Sequence, residues 1–328
     1  MRAVGVAEYG GPEVLKLVEV PRPVTGSGQI RIRVYAATVN PGDTVLRTGH
    51  LDDVLRSGPL TPPYIPGMEA AGVVDEIGHE VQTDLRPGDR VMTVVMPIDP
   101  TGGAYAEYLV VAPDQVTRAP AGSTHAEAAT LPMNGLTARL ALDVLDLAPG
   151  ETVAVTGAAG AVGGYAIQLA KVDGLRVIAD AAPADSSLVA DLGADQIVAR
   201  GTGVGGRIRQ WWPAGVAAVV DAALQGGEVV PALRDGGQIA AVRGWELDGA
   251  GNLGQDRGIE IREVFVPEYT HRRDKLDGLR VLAEDGKLAL RVARTYPAEQ
   301  AAAAHRALEA GGIRGRLVLT FDRQENPT

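Results

Sequence analysis

Apolar and polar positions repeat with two different periods along this 328-residue chain. From Ala3 to about Pro120, short runs are broken by Gly and Pro: Val14 to Val20, Ile30 to Val39, Ala70 to Ile77, Arg90 to Val95 and Tyr105 to Val111. Runs of this kind predict strands. In Ile30-Arg31-Ile32-Arg33-Val34 the alternation predicts a strand with one buried and one wet face. A rolled, mostly antiparallel domain follows. From about Ala126 to Ala289 the texture becomes strand and helix in turn. The strand candidates there are Val153 to Val155, Val177 to Ala179, Gln196 to Val198, Val216 to Asp221 and Gly237 to Val242. Alternation on this scale predicts a doubly wound parallel sheet with helices on both faces. The remainder has a strand, an alanine-rich helix from Ala298 to Glu309 and a strand from Gly315 to Phe321, which predicts a return to the first domain. The expected division is therefore residues 1–125 with 290–328, and residues 126–289.

One segment of the second domain carries chemistry. Val153-Ala154-Val155-Thr156 reads as a buried strand, Gly157-Ala158-Ala159-Gly160-Ala161-Val162-Gly163-Gly164 as a turn, and Tyr165 to Lys171 as a helix. Glycines at 160 and 163 let backbone approach phosphate oxygens and let the helix lie close to the strand. The helix N-terminus then offers amides to a dinucleotide pyrophosphate. A second strand, Leu175 to Ala179, ends in Asp180 and completes a βαβ unit. A purely structural strand-to-helix turn is the competing reading.

Composition narrows the partners. Thirty-one basic and forty-one acidic residues give a net charge of −10 with no long basic run, so neither nucleic acid nor an anionic membrane is an expected partner. There are no cysteines, which excludes disulfides, thiolate metal sites and a cysteine nucleophile. With no apolar signal core and no apolar run of spanning length, a soluble cytoplasmic protein is expected.

Several motifs in fixed order carry a resemblance. They are Tyr9-Gly10-Gly11-Pro12-Glu13-Val14-Leu15, Val39-Asn40-Pro41-Gly42-Asp43, Pro66-Gly67-Met68-Glu69-Ala70-Ala71-Gly72, Pro87-Gly88-Asp89-Arg90-Val91, Gly102-Gly103-Ala104-Tyr105-Ala106-Glu107-Tyr108, Gly135-Leu136-Thr137-Ala138, the glycine turn, Leu192-Gly193-Ala194-Asp195 and Arg314-Gly315-Arg316-Leu317-Val318. The chain resembles the zinc-independent medium-chain dehydrogenase/reductase superfamily, in its quinone oxidoreductase (zeta-crystallin-like) branch. That resemblance implies a GroES-like β-rich barrel domain, a Rossmann domain, a nicotinamide in the cleft between them and a homodimer. It also implies hydride transfer from NAD(P)H to a quinone, enone or enoyl thioester, a small-molecule carbonyl substrate. Non-redox chemistry with a retained cofactor, and a non-catalytic NADPH-binding protein, are the alternatives.

The donor set bears on metal. In zinc enzymes of the superfamily a cysteine opens the motif that here begins with Asn40, and a histidine precedes the glutamate that here is Glu69. This chain has Asn40 and Met68 instead, and no four-cysteine lobe between Arg90 and Tyr105. No zinc is expected. Without a Lewis acid, conjugate reduction is the easier chemistry, because the developing enolate needs only hydrogen-bond donors and a proton. Asn40 is a candidate donor to a substrate carbonyl or the nicotinamide ribose, or an Asx-turn residue before Pro41. Thr137 resembles the family's threonine beside the nicotinamide. Tyr105 is either a pocket phenol or a core anchor. The family's pocket tyrosine after Arg47-Thr48-Gly49 is missing; extra chain runs from Val54 to Pro63, and Tyr64 is the candidate replacement.

The nucleotide preference is drawn two ways. Asp180 suits a ribose 2′-hydroxyl and would repel a 2′-phosphate, favouring NADH. Arg200 is a good phosphate ligand, and with Ser186 it favours NADPH, the reading adopted. Val242, Gly244, Phe265 and Arg316 resemble positions that approach the cofactor in relatives.

Overall fold

A computed structural model describes residues 1–58, 60–242 and 255–321. In chain order the elements are β1 (Arg2–Val6), β2 (Leu15–Glu19), β3 (Ile30–Thr38), α1 (Pro41–Arg47), α2 (Asp52–Ser57), β4 (Glu69–Ile77), β5 (Arg90–Val94), β6 (Tyr108–Val111), β7 (Val116–Arg118), α3 (His125–Ala128) and α4 (Pro132–Asp143). They continue with β8 (Thr152–Thr156), α5 (Ala161–Val172), β9 (Arg176–Ala181), α6 (Ser186–Asp191), β10 (Gln196–Ala199), α7 (Val204–Trp211), β11 (Val216–Asp221), β12 (Leu233–Ala241) and β13 (Glu260–Glu263). Last come α8 (Arg273–Glu284), β14 (Val292–Pro297), α9 (Ala301–Ala310) and β15 (Arg316–Thr320).

Two compact units result. The first comprises Met1–Met133, Pro267–Glu284 and Leu290–Thr328, the second Asn134–Val266 and Asp285–Ala289. This differs from the expected division at two places: residues 126–133 and α8 group with the first unit. Helix α8 is tied there by the Thr117 hydroxyl, which donates to Asp277 at 2.7 Å.

The first unit is GroES-like and the second a Rossmann sheet. In the first, a seven-stranded sheet runs β14-β15-β3-β4-β5-β7, with β6 also on β3. The alternation in β3 sorts as its sequence predicts: Ile30, Ile32 and Val34 are buried and Arg33 is exposed. The chain does return at its end, because β15 pairs antiparallel with β3 through Val318 and Thr38. In the second unit all six strands are parallel, in the order β10-β9-β8-β11-β12-β13. The order reverses between β8 and β11, and in such sheets a ligand binds at the carboxyl ends of the strands beside that point.

Local pattern misplaced some elements. The stretch after Asn40 forms α1 and α2, where the sequence suggested only a turn and extra chain. Its start is set by Asp43, whose side chain accepts from the Asn40 amide at 2.8 Å and so satisfies one orphan donor of the first turn. The sixth strand, β13, was not among the expected strands. At the sheet edge β13 buries little, so Glu260, Arg262 and Glu263 are exposed and Ile261 is only partly covered.

Candidate active site

The carboxyl edge of the parallel sheet gathers most of the expected nucleotide residues. After β8 comes Gly157 with φ +63°, in the left-handed region that glycine enters at no steric cost. Gly160 donates to the Gly157 carbonyl at 2.8 Å and caps α5, so the amides of Ala161, Val162 and Gly163 form that helix's first turn. A Cβ on Gly163 would stand 2.3 Å from the Gly157 carbonyl oxygen, and one on Gly160 3.0 Å from the same atom. Only hydrogen fits at 163. The turn is therefore a narrow backbone cradle on a helix N-terminus, which suits a pyrophosphate.

Strand ends supply the rest of that edge. Asp180 is the penultimate residue of β9, and Arg200 follows β10, its amide bonded to the Ala181 carbonyl at 3.2 Å. Ser186 opens α6, Val242 follows β12, and Phe265, 54% exposed, follows β13. Gly244 lies outside the described residues. Thr137 is in the same unit, nearly buried on α4.

Asp180 has a structural partner that the sequence did not suggest. Its carboxylate is buried and accepts from the Ala158 amide at 3.2 Å, so it braces the glycine turn. Burial pushes its pKa up, opposed by the turn amides and by the charge of Arg200. A second brace escaped sequence reasoning. The Thr156 hydroxyl donates to Asp221 at 2.6 Å, and the amides of Gln225 and Gly226 donate to the same carboxylate at 3.0 and 2.9 Å. This joins the ends of β8 and β11. The available signal was an aspartate closing the apolar run Val216 to Val220.

In the first unit the expected catalytic residues belong to a buried polar network. Asn40, only 3% exposed, donates from Nδ2 toward the Thr38 hydroxyl and Glu69 together, both at 3.1 Å, and its oxygen accepts from the Arg316 guanidinium. The orientation is chemically forced: turning the amide over would set NH₂ against a cation and an oxygen against a carboxylate. The amide nitrogen thus has partners within the protein, whatever role it has toward a ligand. Glu69 also accepts from Thr38 and from the Met133 amide at 2.7 Å, and burial raises its pKa against the pull of Arg316. Arg316 is likewise buried and donates to the Val39 carbonyl.

Tyr105 is a core anchor. Its fully buried hydroxyl donates to Asp43 at 3.1 Å and lies 3.3 Å from His305 Nε2. Burial and the Asp43 carboxylate raise its pKa well above the ordinary phenol. Asp43 also accepts from the Gly67 amide at 2.7 Å, and burial lifts its carboxyl to about 6. Tyr64 is buried, joined to Val6 by paired backbone bonds of 2.8 and 2.9 Å, and its ring stacks on Tyr9 with centroids 5.9 Å apart.

His305 makes this network sensitive to acid. Burial, and then the charge of Arg47, lower its pKa to about 3, whereas the unfolded ring titrates near ~6.5. The unfolded chain therefore binds the proton first, and this group's stabilisation is lost as pH falls from about 6.5 toward 3. Asp43 opposes it, its raised pKa lowering the cost of its burial as pH falls through about 6. Comparison with His305→Gln, which keeps a donor toward Tyr105, isolates the histidine. Between pH 7 and 5 the native chain is expected to lose about 2 kcal/mol relative to that variant, read by denaturant unfolding. An identical pH dependence in both would refute the assignment.

Comparison with known proteins adds the family. Residues 26–121 match the model described as "Alcohol dehydrogenase GroES-like domain", and residues 192–319 the one described as "Zinc-binding dehydrogenase". The chain is 37% identical over 205 residues to a chloroplastic quinone-oxidoreductase QR1 of Triphysaria versicolor, covering 60% of each. It thus spans less than two thirds of that relative. Over 330 residues it is 30% identical to a quinone oxidoreductase of Pongo abelii, covering 97% of both. Among solved structures, it resembles an NAD-dependent alcohol dehydrogenase (TM-score 0.85, 31% identity, 98% of this chain and 100% of that one). It also resembles a mycobacterial protein complexed with NADPH (TM-score 0.84, 28% identity, 98% and 100%).

Proposed function

The chain belongs to the quinone oxidoreductase branch of the medium-chain dehydrogenase/reductase superfamily, and from that premise we propose that it uses NADPH to reduce a quinone, enone or enoyl thioester without a metal ion. The observation that carries this reading is the glycine cradle at the switch point of a parallel sheet, closed to any side chain at Gly163. When bound, a reduced nicotinamide supplies hydride to an electron-poor carbon. The first-turn amides of α5 would hold the pyrophosphate, and Thr137 is the residue of this unit that would serve beside the nicotinamide.

The two structural neighbours differ in nucleotide, so the preference has to come from this chain's own residues. Asp180 is committed to the Ala158 amide, which weakens its claim on a ribose hydroxyl. Arg200 is exposed on the adjacent strand end and close enough to act on Asp180, which supports NADPH. Arg200→Ala is expected to raise KM for NADPH about tenfold while leaving that for NADH within about twofold, the loss of one charge-assisted phosphate contact. Equal effects on the two would overturn the preference.

The metal-free reading rests on the donor set. Where metal ligands would be needed, Asn40 is engaged by Arg316 and Glu69, and the position before Glu69 holds Met68. Among the described residues no group of three or more His, Asp or Glu is placed to hold an ion. The test is nicotinamide absorbance with a panel of quinones, enones and enoyl thioesters, and metal analysis on the same sample. Tight NADPH binding with no consumption by any acceptor would sink the reductase reading. Stoichiometric zinc would sink the metal-free one.

A further inference from the structure

Arg200, on which the nucleotide preference rests, stands on a turn that its own sequence does little to hold. Gly201 and Gly203 take φ of +92° and +76° on either side of Thr202, and glycine backbone loses the most freedom when it is ordered. The turn is gripped from outside. Arg207 commits all three guanidinium nitrogens to it: Nε donates to the Ala199 carbonyl at 2.8 Å, Nη2 to the Gly201 carbonyl at 2.8 Å and Nη1 to the Thr202 carbonyl at 2.9 Å. The chain is thus fixed on both sides of Arg200, whose own amide adds its bond to Ala181.

The grip has a rigid base. Arg207 lies on α7, which buries Val204, Gly205 and Ile208 and packs so closely on residues 226–232 that a Cβ on Gly205 would collide with the Glu228 carbonyl oxygen. At the helix start the Glu228 carboxylate accepts from the Gly203 amide at 2.5 Å. A cation four residues past the Gly203 cap opposes the dipole of α7, so the three carbonyls are what hold Arg207 there. Only a planar fork with donors on three nitrogens reaches three carbonyls at once; the point charge of a lysine does not. Arg207 therefore acts on the turn, and through it on Arg200.

We infer that Arg207 is a positioning residue for nucleotide choice, holding the turn at 199–202 so that the Arg200 guanidinium is presented to a ribose 2′-phosphate. The inference rests on the NADPH reading above, and its test lets the two fail separately. Full-length Arg207→Met and Arg207→Lys are titrated calorimetrically with NADPH and with NADH, beside Arg200→Ala and the combination of Arg200→Ala with Arg207→Met. Amide hydrogen exchange of residues 200–203 is followed in the same proteins without nucleotide. Kd for NADPH is expected to rise about fivefold in both Arg207 variants, with that for NADH within about twofold, and exchange at the turn to quicken. The combined variant should lose no more than Arg200→Ala alone, because Arg207 acts through Arg200. Arg207 is only partly buried and its lysine variant keeps the charge, so a folded protein is available for the test. Recovery of NADPH binding in Arg207→Lys would mean that charge suffices and would overturn the positioning role. So would unchanged exchange, additive losses in the combined variant, or equal losses for the two nucleotides in the Arg207 variants while Arg200→Ala still discriminates between them. Arg200→Ala acting alike on both nucleotides would instead sink the NADPH reading, even with the turn loosened in the Arg207 variants.

Discussion

Replacing Gly163 with alanine or valine is expected to abolish nucleotide binding while leaving most of the fold intact. The added Cβ would stand 2.3 Å from the Gly157 carbonyl oxygen and 2.7 Å from its carbon, both backbone atoms that no rotamer change can move aside. To admit it, α5 must shift away from the turn, and its first-turn amides then miss the pyrophosphate. Losing two charge-assisted hydrogen bonds of roughly 1.5–3 kcal/mol each raises Kd by about 100-fold or more. Gly160→Ala is expected to be milder, because its Cβ would stand 3.0 Å from the same oxygen. Calorimetric titration with NADPH measures both variants. A Gly163 variant that binds like the parent, or a Gly160 variant that loses more than the Gly163 one, would show that the cradle is not where the phosphates lie.

Arg316→Met should produce the largest loss of stability. The guanidinium is buried on Asn40 and the Val39 carbonyl and acts on the Glu69 carboxylate. Its removal leaves Glu69 buried without a counter-charge, a change that costs roughly 3–5 kcal/mol in comparable buried pairs. A drop in Tm on the order of 10 °C follows for a chain of this size. The pH dependence has a definite sign. With Arg316 gone, only the hydrogen bonds from Thr38, Asn40 and the Met133 amide oppose the upward push of burial on Glu69, so the variant takes up a proton more readily than the parent and its deficit shrinks as pH falls. Adding Glu69→Gln should recover part of the loss, and the double-mutant cycle gives the coupling directly. Purely additive losses would mean that the two groups are not a pair.

What local pattern could reveal, it revealed in the strands and in the turn. Val216–Asp221 forms a strand over the residues anticipated, and the glycine turn joins β8 to α5 where its spacing demanded. Each is set by neighbours in sequence, through periodicity or through a close backbone approach. The functions of single polar residues were harder to read, because they depend on partners far along the chain. Asn40 meets Glu69 across 29 positions and Arg316 across 276, and no periodicity records such meetings. The same distance hid the role of Tyr105, whose hydroxyl lies 200 positions from its His305 neighbour. Asp180 was incompletely legible for a different reason. A strand-terminal carboxylate can face a ribose or its own turn, and its bond to the Ala158 amide is a matter of backbone geometry that no pattern records. The short helices α1 and α2 are legible only in retrospect, through Asp43 three residues after Asn40.

The network around Asn40 also sets the terms for any redesign toward a metalloenzyme. Installing thiolate and imidazole at positions 40 and 68 would introduce ligands, yet Arg316 would remain beside position 40, its guanidinium already bonded to the Val39 carbonyl. A divalent ion would enter against a fixed positive charge in a buried setting. The mutation to make first is the one that evicts Arg316, and Glu69 then becomes the counter-ion that an incoming metal could use.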